Sequence, residues 1–123
     1  MPSYNRTTLV GNITKDLILR YTPNGNAVLN FSLAVNERYK QDNTYKEKVH
    51  FIDITAWDRL AENIAKYLGK GSPILIEGRL SQDRWEKDGI KNSKLKVIAE
   101  RMQMLGNNPN MKKEEKQLNT NPF

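Results

Sequence analysis

One stretch of the chain decides the fold: residues 49–80 read VHFIDITAWDRLAENIAKYLGKGSPILIEGRL. Within it, residues 49–57 alternate between an apolar face and a face that mixes aromatic and polar side chains. This period of two predicts a strand with one buried face. The apolar residues of 58–69 recur at helical spacing, and alternation returns at residues 74–80. The stretch therefore predicts a strand, a single helix and a second strand.

The predicted helix has suitable residues at both ends. Asp58 fits the N-cap, because its carboxylate can accept hydrogen bonds from the unpaired N–H groups of the first turn. Gly69 fits the position after the C-cap, where a positive φ ends many helices. The next residues, Lys70-Gly71-Ser72, lack the spacing of a phosphate loop and follow a helix instead of opening one. We interpret them as a turn from which Lys70 can reach a phosphate.

Three more segments complete the predicted fold. Strand alternation marks residues 8–13, 28–36 and 93–104, and turn residues lie at 22–26 and 87–90. The element order is three strands, one helix and two strands. This is the order of the OB-fold, an all-β architecture in which a five-stranded Greek-key barrel has one α-helix between strands 3 and 4. We predict that fold.

Size and charge limit the class of partner. The chain has 123 residues, enough for one domain, and its 20 Lys and Arg against 14 Asp and Glu give a net charge of +6. A basic excess on a small domain favours a polyanion, with nucleic acid ahead of a membrane surface. No stretch approaches the roughly 20 apolar residues of a membrane span, so we expect no membrane partner.

The residue types also argue against catalysis. The chain has no cysteine and a single histidine, His50, which excludes disulfide scaffolds, Cys/His zinc sites and cysteine nucleophiles. No paired carboxylates or nucleophile–base pair can be identified, and His50 has no catalytic partner. We therefore expect a protein that is not an enzyme and needs no metal or cofactor.

The aromatic residues indicate a binding role. Trp85 shares strand parity with polar residues, Phe51 and Trp57 lie on the mixed face of residues 49–57, and Tyr39 lies in a hydrophilic stretch. Exposed rings can stack on unpaired bases while nearby cations track phosphates. The alternative for each single ring is half-buried packing. The predicted phosphate contacts are Arg20, Arg38, Lys46, Lys48, Arg59, Lys70 and Arg84.

Composition changes after Leu105. Residues 106–123, GNNPNMKKEEKQLNTNPF, have almost no apolar residue before Phe123 and cannot bury enough surface to offset the entropy of ordering. We predict that residues 1–105 form the domain and residues 106–123 a disordered tail.

The chain also resembles a known family. The motifs Leu9-Val10-Gly11-Asn12, Arg20-Tyr21-Thr22-Pro23-Asn24-Gly25, Leu60-Ala61-Glu62, Lys70-Gly71-Ser72 and Ile76-Glu77-Gly78-Arg79-Leu80 are similar to those of bacterial-type single-stranded DNA-binding proteins, the SSB family. The resemblance runs from about Asn5 to Leu105 and implies an OB-fold.

The resemblance implies a homotetramer that binds single-stranded DNA without sequence preference, catalysis or a cofactor. It places the base-stacking rings on Tyr39, Phe51, Trp57 and Trp85, some of them exchanged for another aromatic type that keeps a π-face. Ile52, on the core side of its strand, is our candidate for the subunit contact.

The tail differs from the pattern of that family, which commonly ends in an acidic tip finishing in Asp-Ile-Pro-Phe. Here Pro122 and Phe123 keep the apolar end, but Asn and Thr replace the acidic residues before them. We expect at most weak contact of Pro122 and Phe123 with replication or repair proteins.

Two other functions are compatible with these residues. An SSB-like primosomal or replication scaffold would use the same barrel mainly for protein contacts, although it would not need four stacking rings. An RNA chaperone would use the same kind of unspecific groove. We expect a cytoplasmic, nucleoid-associated protein in replication, recombination or repair, and a chromosomal, organellar, plasmid or phage origin fits equally.

Overall fold

The computed structural model describes residues 2–106 and contains six strands and one helix in that range. The elements are β1 (Thr7–Ile13), β2 (Arg20–Tyr21), β3 (Ala27–Gln41), β4 (Thr44–Trp57), α1 (Asp58–Tyr67), β5 (Pro73–Lys87) and β6 (Ile90–Met104). The predicted order of five long strands and one helix is confirmed, and the structure adds the two-residue β2. None of the described residues forms a helix long and apolar enough to cross a membrane.

The strands close into a barrel. They follow the order β1-β5-β6-β4-β3-β2, and β1 also pairs with β3, which joins the two sides of the sheet. All pairings are antiparallel except β4 with β6, which meet in parallel over only two residue pairs, Ile54 with Val97 and Thr55 with Ile98. This is the predicted five-stranded OB-fold barrel with its helix between the third and fourth long strands.

The alternating residues of the long strands form the core. Leu29 and Leu33 of β3, Ile54 of β4 and Ile74 of β5 are at most 1% exposed. Helix α1 covers one end of the barrel with its buried face, of which Ile64 is the centre. Burial of these side chains removes apolar surface from water and is the main stabilising term of the fold.

Two long hairpins extend beyond this core. In the first, β3 continues to Gln41 and β4 begins at Thr44, around a turn in which Asp42 and Asn43 have φ of 51° and 63°. Two successive positive φ angles are typical of the type I′ turn, whose twist matches that of paired strands. The predicted strands 28–36 and 49–57 were therefore too short. Beyond residue 36 the hairpin has no buried face, so the apolar alternation that marks a strand is lost.

The second hairpin joins β5 to β6 through Asp88 and Gly89, also with positive φ angles of 52° and 77°. The predicted turn at 87–90 is confirmed. Strand β5 runs to Lys87, well past the predicted end at residue 80, because the second half of this hairpin also lacks a buried face. The two hairpins, residues 36–49 and 82–95, are called the β3–β4 arm and the β5–β6 arm below.

The predicted N-cap was wrong, and the glycine predicted at the other end of the helix has the right position but not the expected φ. Trp57 occupies the N-cap, no side chain caps the first turn, and Asp58 is already helical in its hydrogen bonding, with φ of 55°. At the other end Leu68 is the C-cap, so Gly69 follows it as predicted, but the positive φ falls on Gly71. The Gly69 N–H donates a 2.9 Å hydrogen bond to the buried hydroxyl of Ser72.

Candidate nucleic-acid interface

Three of the predicted stacking rings lie on the outer face of the sheet. Phe51 and Trp57 have the same parity on β4, directly across from Ala34 and Val28 of β3, and are 69% and 41% exposed. Trp85, 47% exposed, lies on β5 opposite Asn92 of β6. Directly paired residues project to the same side of a sheet, so each ring projects from the outer surface.

Two ion pairs show that the three rings belong to one continuous face. Lys94 of β6 contacts Asp53 of β4 at 2.8 Å, and Lys96 of β6 contacts Asp83 of β5 at 3.0 Å. Asp53 has the parity of Phe51 and Trp57, and Asp83 has the parity of Trp85. The ion pairs therefore cross the surface between the rings of β4 and the ring of β5.

The surface around these ion pairs is a polar groove of about 360 Å³. Thr55, buried at its centre, donates a 2.6 Å hydrogen bond to the side-chain oxygen of Asn30. Lys15 lines the same groove from the chain between β1 and β2. The pKa of Lys94 is raised above its ordinary value because Asp53 accepts a hydrogen bond from the ammonium group and attracts its charge. Lys94 is thus charged at neutral pH.

Tyr39 does not share this face. On β3 it has the parity of the core residues, and it pairs directly with Lys46 of β4. Lys48 lies on the same reverse side of the β3–β4 arm, where it pairs with Glu37. That glutamate also contacts His50 at 2.9 Å. The predicted contacts Tyr39, Lys46 and Lys48 are therefore together, but on the opposite side of the arm from Phe51.

The arginines of the arms are held by neighbouring side chains. Arg38 lies with its guanidinium 4.5 Å from the ring centre of Tyr45, on the Phe51 side of the β3–β4 arm. In the β5–β6 arm, Arg84 donates two hydrogen bonds, of 3.0 and 3.2 Å, to the side-chain oxygen of Gln82. Such contacts reduce the side-chain entropy that an arginine loses when it binds a phosphate.

The remaining predicted cations lie at the helix end of the barrel. Arg20 of β2 pairs with Val28, which in turn pairs with Trp57, so Arg20 and Trp57 lie in one row on the outer face. Arg59 is exposed in the first turn of α1, two residues after Trp57. Lys70 is exposed in the turn between α1 and β5. Arg20 is thus the one of these three that the pairing places on the face of the rings.

The predicted subunit contact, Ile52, is half-buried and packs against the core. It lines a shallow depression of about 230 Å³ together with Phe51 and two exposed leucines, Leu80 and Leu95. The apolar patch at this point is therefore formed mainly by the leucines, with Ile52 at its base. Pro122 and Phe123, predicted as a partner-binding tail, lie outside the described residues.

The sequence interpretation missed several residues of this surface, among them Lys94, Lys96, Tyr45 and Lys15. Lys94 and Lys96 were assigned only to a strand, although their alternation with Leu95 and Val97 indicated that they face outward. Tyr45 was missed because the β3–β4 arm was not recognised, and the signal was the pair of turn formers Asp42-Asn43. Among residues 2–106, no three His, Cys, Asp or Glu side chains come together as a metal site.

Comparison with known proteins identifies related single-stranded DNA-binding proteins. The model of the single-strand binding protein family matches residues 4–105. A single-stranded DNA-binding protein of Aquifex aeolicus is 42% identical over 102 residues, which are 82% of this chain and 69% of that protein. One from Helicobacter hepaticus is 47% identical over 108 residues, which are 86% of this chain and 64% of the relative. The chain thus spans about two thirds of the length of these relatives.

A solved structure has the same fold. The single-stranded DNA-binding protein of Plasmodium falciparum, determined in complex with single-stranded DNA, superposes with a TM-score of 0.78 at 26% sequence identity. The match covers 86% of this chain and 98% of that one. The fold comparison and the sequence comparisons thus lead to the same family.

Proposed function

Because this chain belongs to the single-strand binding protein family, we propose that it binds single-stranded DNA without sequence preference and protects it during replication, recombination or repair. The observation that carries the proposal is the outer face on which Phe51, Trp57 and Trp85 are exposed together among cationic side chains. A core would bury such rings, and exposure of three on one face suits stacking on bases.

Stacking explains the lack of sequence preference. Every base has a π-face, so a ring that stacks on it does not read the hydrogen-bonding groups at the base edge. Arg20 and Arg38 lie on the same face as the rings and supply charge for the phosphates. A duplex keeps its bases stacked on one another and cannot offer them to Phe51 or Trp85, so the protein discriminates between single and double strands.

The proposed activity is binding alone, without catalysis. The acidic groups of the face, Asp53 and Asp83, each contact a lysine, which is an arrangement for charge balance and not for proton transfer. We further propose that the protein acts as a homotetramer and is associated with the nucleoid in the cytoplasm. The first follows from the family and from the exposed leucines next to Ile52, and the second follows from the DNA partner.

The proposal is tested by tryptophan fluorescence. Trp57 and Trp85 are the only tryptophans of the chain, so stacked bases should quench most of the emission when oligo-dT is added. Mixed-sequence single strands should bind with similar affinity, duplex should bind far more weakly, and added salt should weaken binding. Failure of all single strands to bind, or equal binding of duplex, would contradict the proposal. Tighter binding of oligo-U than of oligo-dT would indicate an RNA-binding protein instead.

A further inference from the structure

Two carboxylates lie in the middle of the surface that the proposed function assigns to a polyanion. Asp53 is on β4 between Phe51 and Trp57, and Asp83 is on β5 two residues before Trp85. Both have outward parity, and both line the polar groove. Phosphates that follow bases stacked on these rings must pass close to both negative charges.

Each carboxylate also holds a cation that would otherwise be available to DNA. Asp53 contacts Lys94 at 2.8 Å, and Asp83 contacts Lys96 at 3.0 Å. With Lys15, the groove contains three lysines against two aspartates, so most of its positive charge is balanced within the protein.

These ion pairs are open to exchange. The side chains of Lys94 and Asp53 are 59% and 46% exposed, and those of Lys96 and Asp83 are 24% and 49% exposed. Ion pairs at such exposed positions contribute little to stability, because water screens them and two flexible side chains must be ordered. A phosphate oxygen offers a lysine the same kind of charged acceptor as a carboxylate oxygen.

We propose that Asp53 and Asp83 act as internal competitors of DNA phosphates, which Lys94 and Lys96 exchange for the backbone of the bound strand. The inference rests on the proposed function and goes beyond it, since it names two lysines as phosphate contacts and two aspartates that lower affinity. The stacking rings then supply most of the binding, and the lysines add a contribution that the aspartates reduce. A strand held in this way is released more easily than one held by unopposed cations.

If the Lys94–Asp53 ion pair serves only to stabilise the fold, a different result is expected. Strands β4 and β6 share only two ladder pairs, so the Lys94–Asp53 contact could instead hold these strands together next to that short ladder. In that case removal of Asp53 would lower the free energy of unfolding and would not strengthen DNA binding. Affinity and unfolding must therefore be measured on the same variants.

The test uses Asp53→Asn, Asp83→Asn and the double variant of the full chain, titrated with oligo-dT over a range of salt concentrations. Each single variant should bind about threefold to tenfold more tightly at low salt. The slope of log affinity against log salt should steepen by about 0.7 for each additional phosphate contact. Asp83 lies on the β5–β6 arm away from the core, so its variant keeps the test valid if Asp53→Asn fails to fold.

Glu100→Gln is the matched control. This variant breaks the 3.0 Å ion pair between Glu100 and Arg79, which is about as exposed as the Lys94–Asp53 pair and does not line the groove. It changes the net charge by the same amount as each aspartate variant. Its affinity should stay within about twofold of the parent, as expected for a remote screened charge. Adding Lys94→Gln to Asp53→Asn should abolish the gain.

The outcomes separate the two proposals. If the parent binds oligo-dT and the folded asparagine variants match it in affinity and salt slope, the inference is wrong and the proposed function stands. An equal gain in Glu100→Gln would also overturn the inference, since net charge alone would then explain the effect. If the parent does not bind single strands, both proposals fail.

Discussion

Trp57 and Trp85 each keep more than two fifths of their surface exposed, so their replacement removes binding surface without opening a cavity in the core. We expect Trp57→Ala and Trp85→Ala each to weaken oligo-dT binding by about 1–3 kcal/mol per lost stacked base. Trp57→Phe keeps a π-face and serves as the control, with most of the affinity retained. Fluorescence anisotropy with labelled oligo-dT measures all three variants. Parental affinity in both alanine variants would disprove the stacking assignment.

Gly78 occupies a position where the backbone leaves no room for a side chain. It lies at the irregularity between β5 and β6, and a Cβ there would lie 2.0 Å from the Ile98 carbonyl oxygen. Because that obstacle is backbone and not a flexible side chain, we expect Gly78→Ala to lower the free energy of unfolding by at least about 1–3 kcal/mol.

Urea unfolding measures the effect, and Gln103→Ala is the control, since Gln103 is exposed on β6. Equal stability of Gly78→Ala and the parent would show that the two strands can separate at this point at no cost.

For some residues the sequence predicts the face of the sheet on which the side chain lies, and for others it does not. Alternation alone placed Phe51, Trp57 and Trp85 on faces away from the core, because strand parity is a local property. The opposite orientation of Tyr39 could not be predicted, since it depends on β3 continuing without a break to Gln41. The ion-pair partners of Lys94 and Lys96 lie on other strands. Local periodicity contains no information on which distant strands are paired.

The β3–β4 arm carries Tyr39, Tyr45 and Arg38 beyond the core. Its turn requires a φ of 51° at Asp42, which proline cannot adopt because its ring fixes φ near −65°. We expect Asp42→Pro to disorder the arm and weaken oligo-dT binding severalfold, as expected when contacts of the arm are lost. The free energy of unfolding should change little, because the buried residues of β3 and β4 lie at the opposite end of the hairpin.

Asp42→Gly is the control for that experiment, because glycine accepts the same φ. Binding and urea unfolding should both stay near the parental values in the glycine variant. Full affinity in Asp42→Pro, with the arm shown to be disordered by hydrogen exchange, would exclude the arm from the interface.

The two arms also show which parts of the strands could not be predicted from the sequence. The strands and the helix were predicted correctly wherever one of their faces is buried. The predicted strand ends at residues 36, 49 and 80 were wrong, because the strands continue there without a buried face. At the helix ends, the position of Gly69 after the C-cap was predicted correctly, but its φ was not. The Gly69 N–H donates to the Ser72 hydroxyl, a contact that residue preferences alone do not indicate.

Closure of the barrel was predictable, because the order of elements restricts the topology. The groove was not, because its walls come from β3, β4, β5 and β6 and from the chain before β2. The net charge of +6 indicated a polyanionic partner, yet it gave no information on the two carboxylates at the centre of the face. Charge summed over a chain predicts the class of partner, and only pairing in space shows how that charge is distributed.

The association of whole molecules gives the last prediction. Leu80 and Leu95 are 46% and 61% exposed and adjoin Ile52 on one depression of the surface. Apolar patches of this kind mark interaction sites, and a second copy of the chain offers the same patch in return. This patch pairs two copies, and the homotetramer proposed from the family needs a second contact between pairs, so we expect light scattering to give about four times the chain mass of 14.2 kDa. Leu95→Glu should shift the mass downward, because association would bury the new charge without a partner.

Ile90→Glu is the matched control, since Ile90 is 65% exposed at the turn of the β5–β6 arm, away from this depression. It should keep the parental mass. A parent that measures 14.2 kDa at micromolar concentration would refute the oligomer. A Leu95→Glu variant with unchanged mass would place the subunit contact on another face of the barrel.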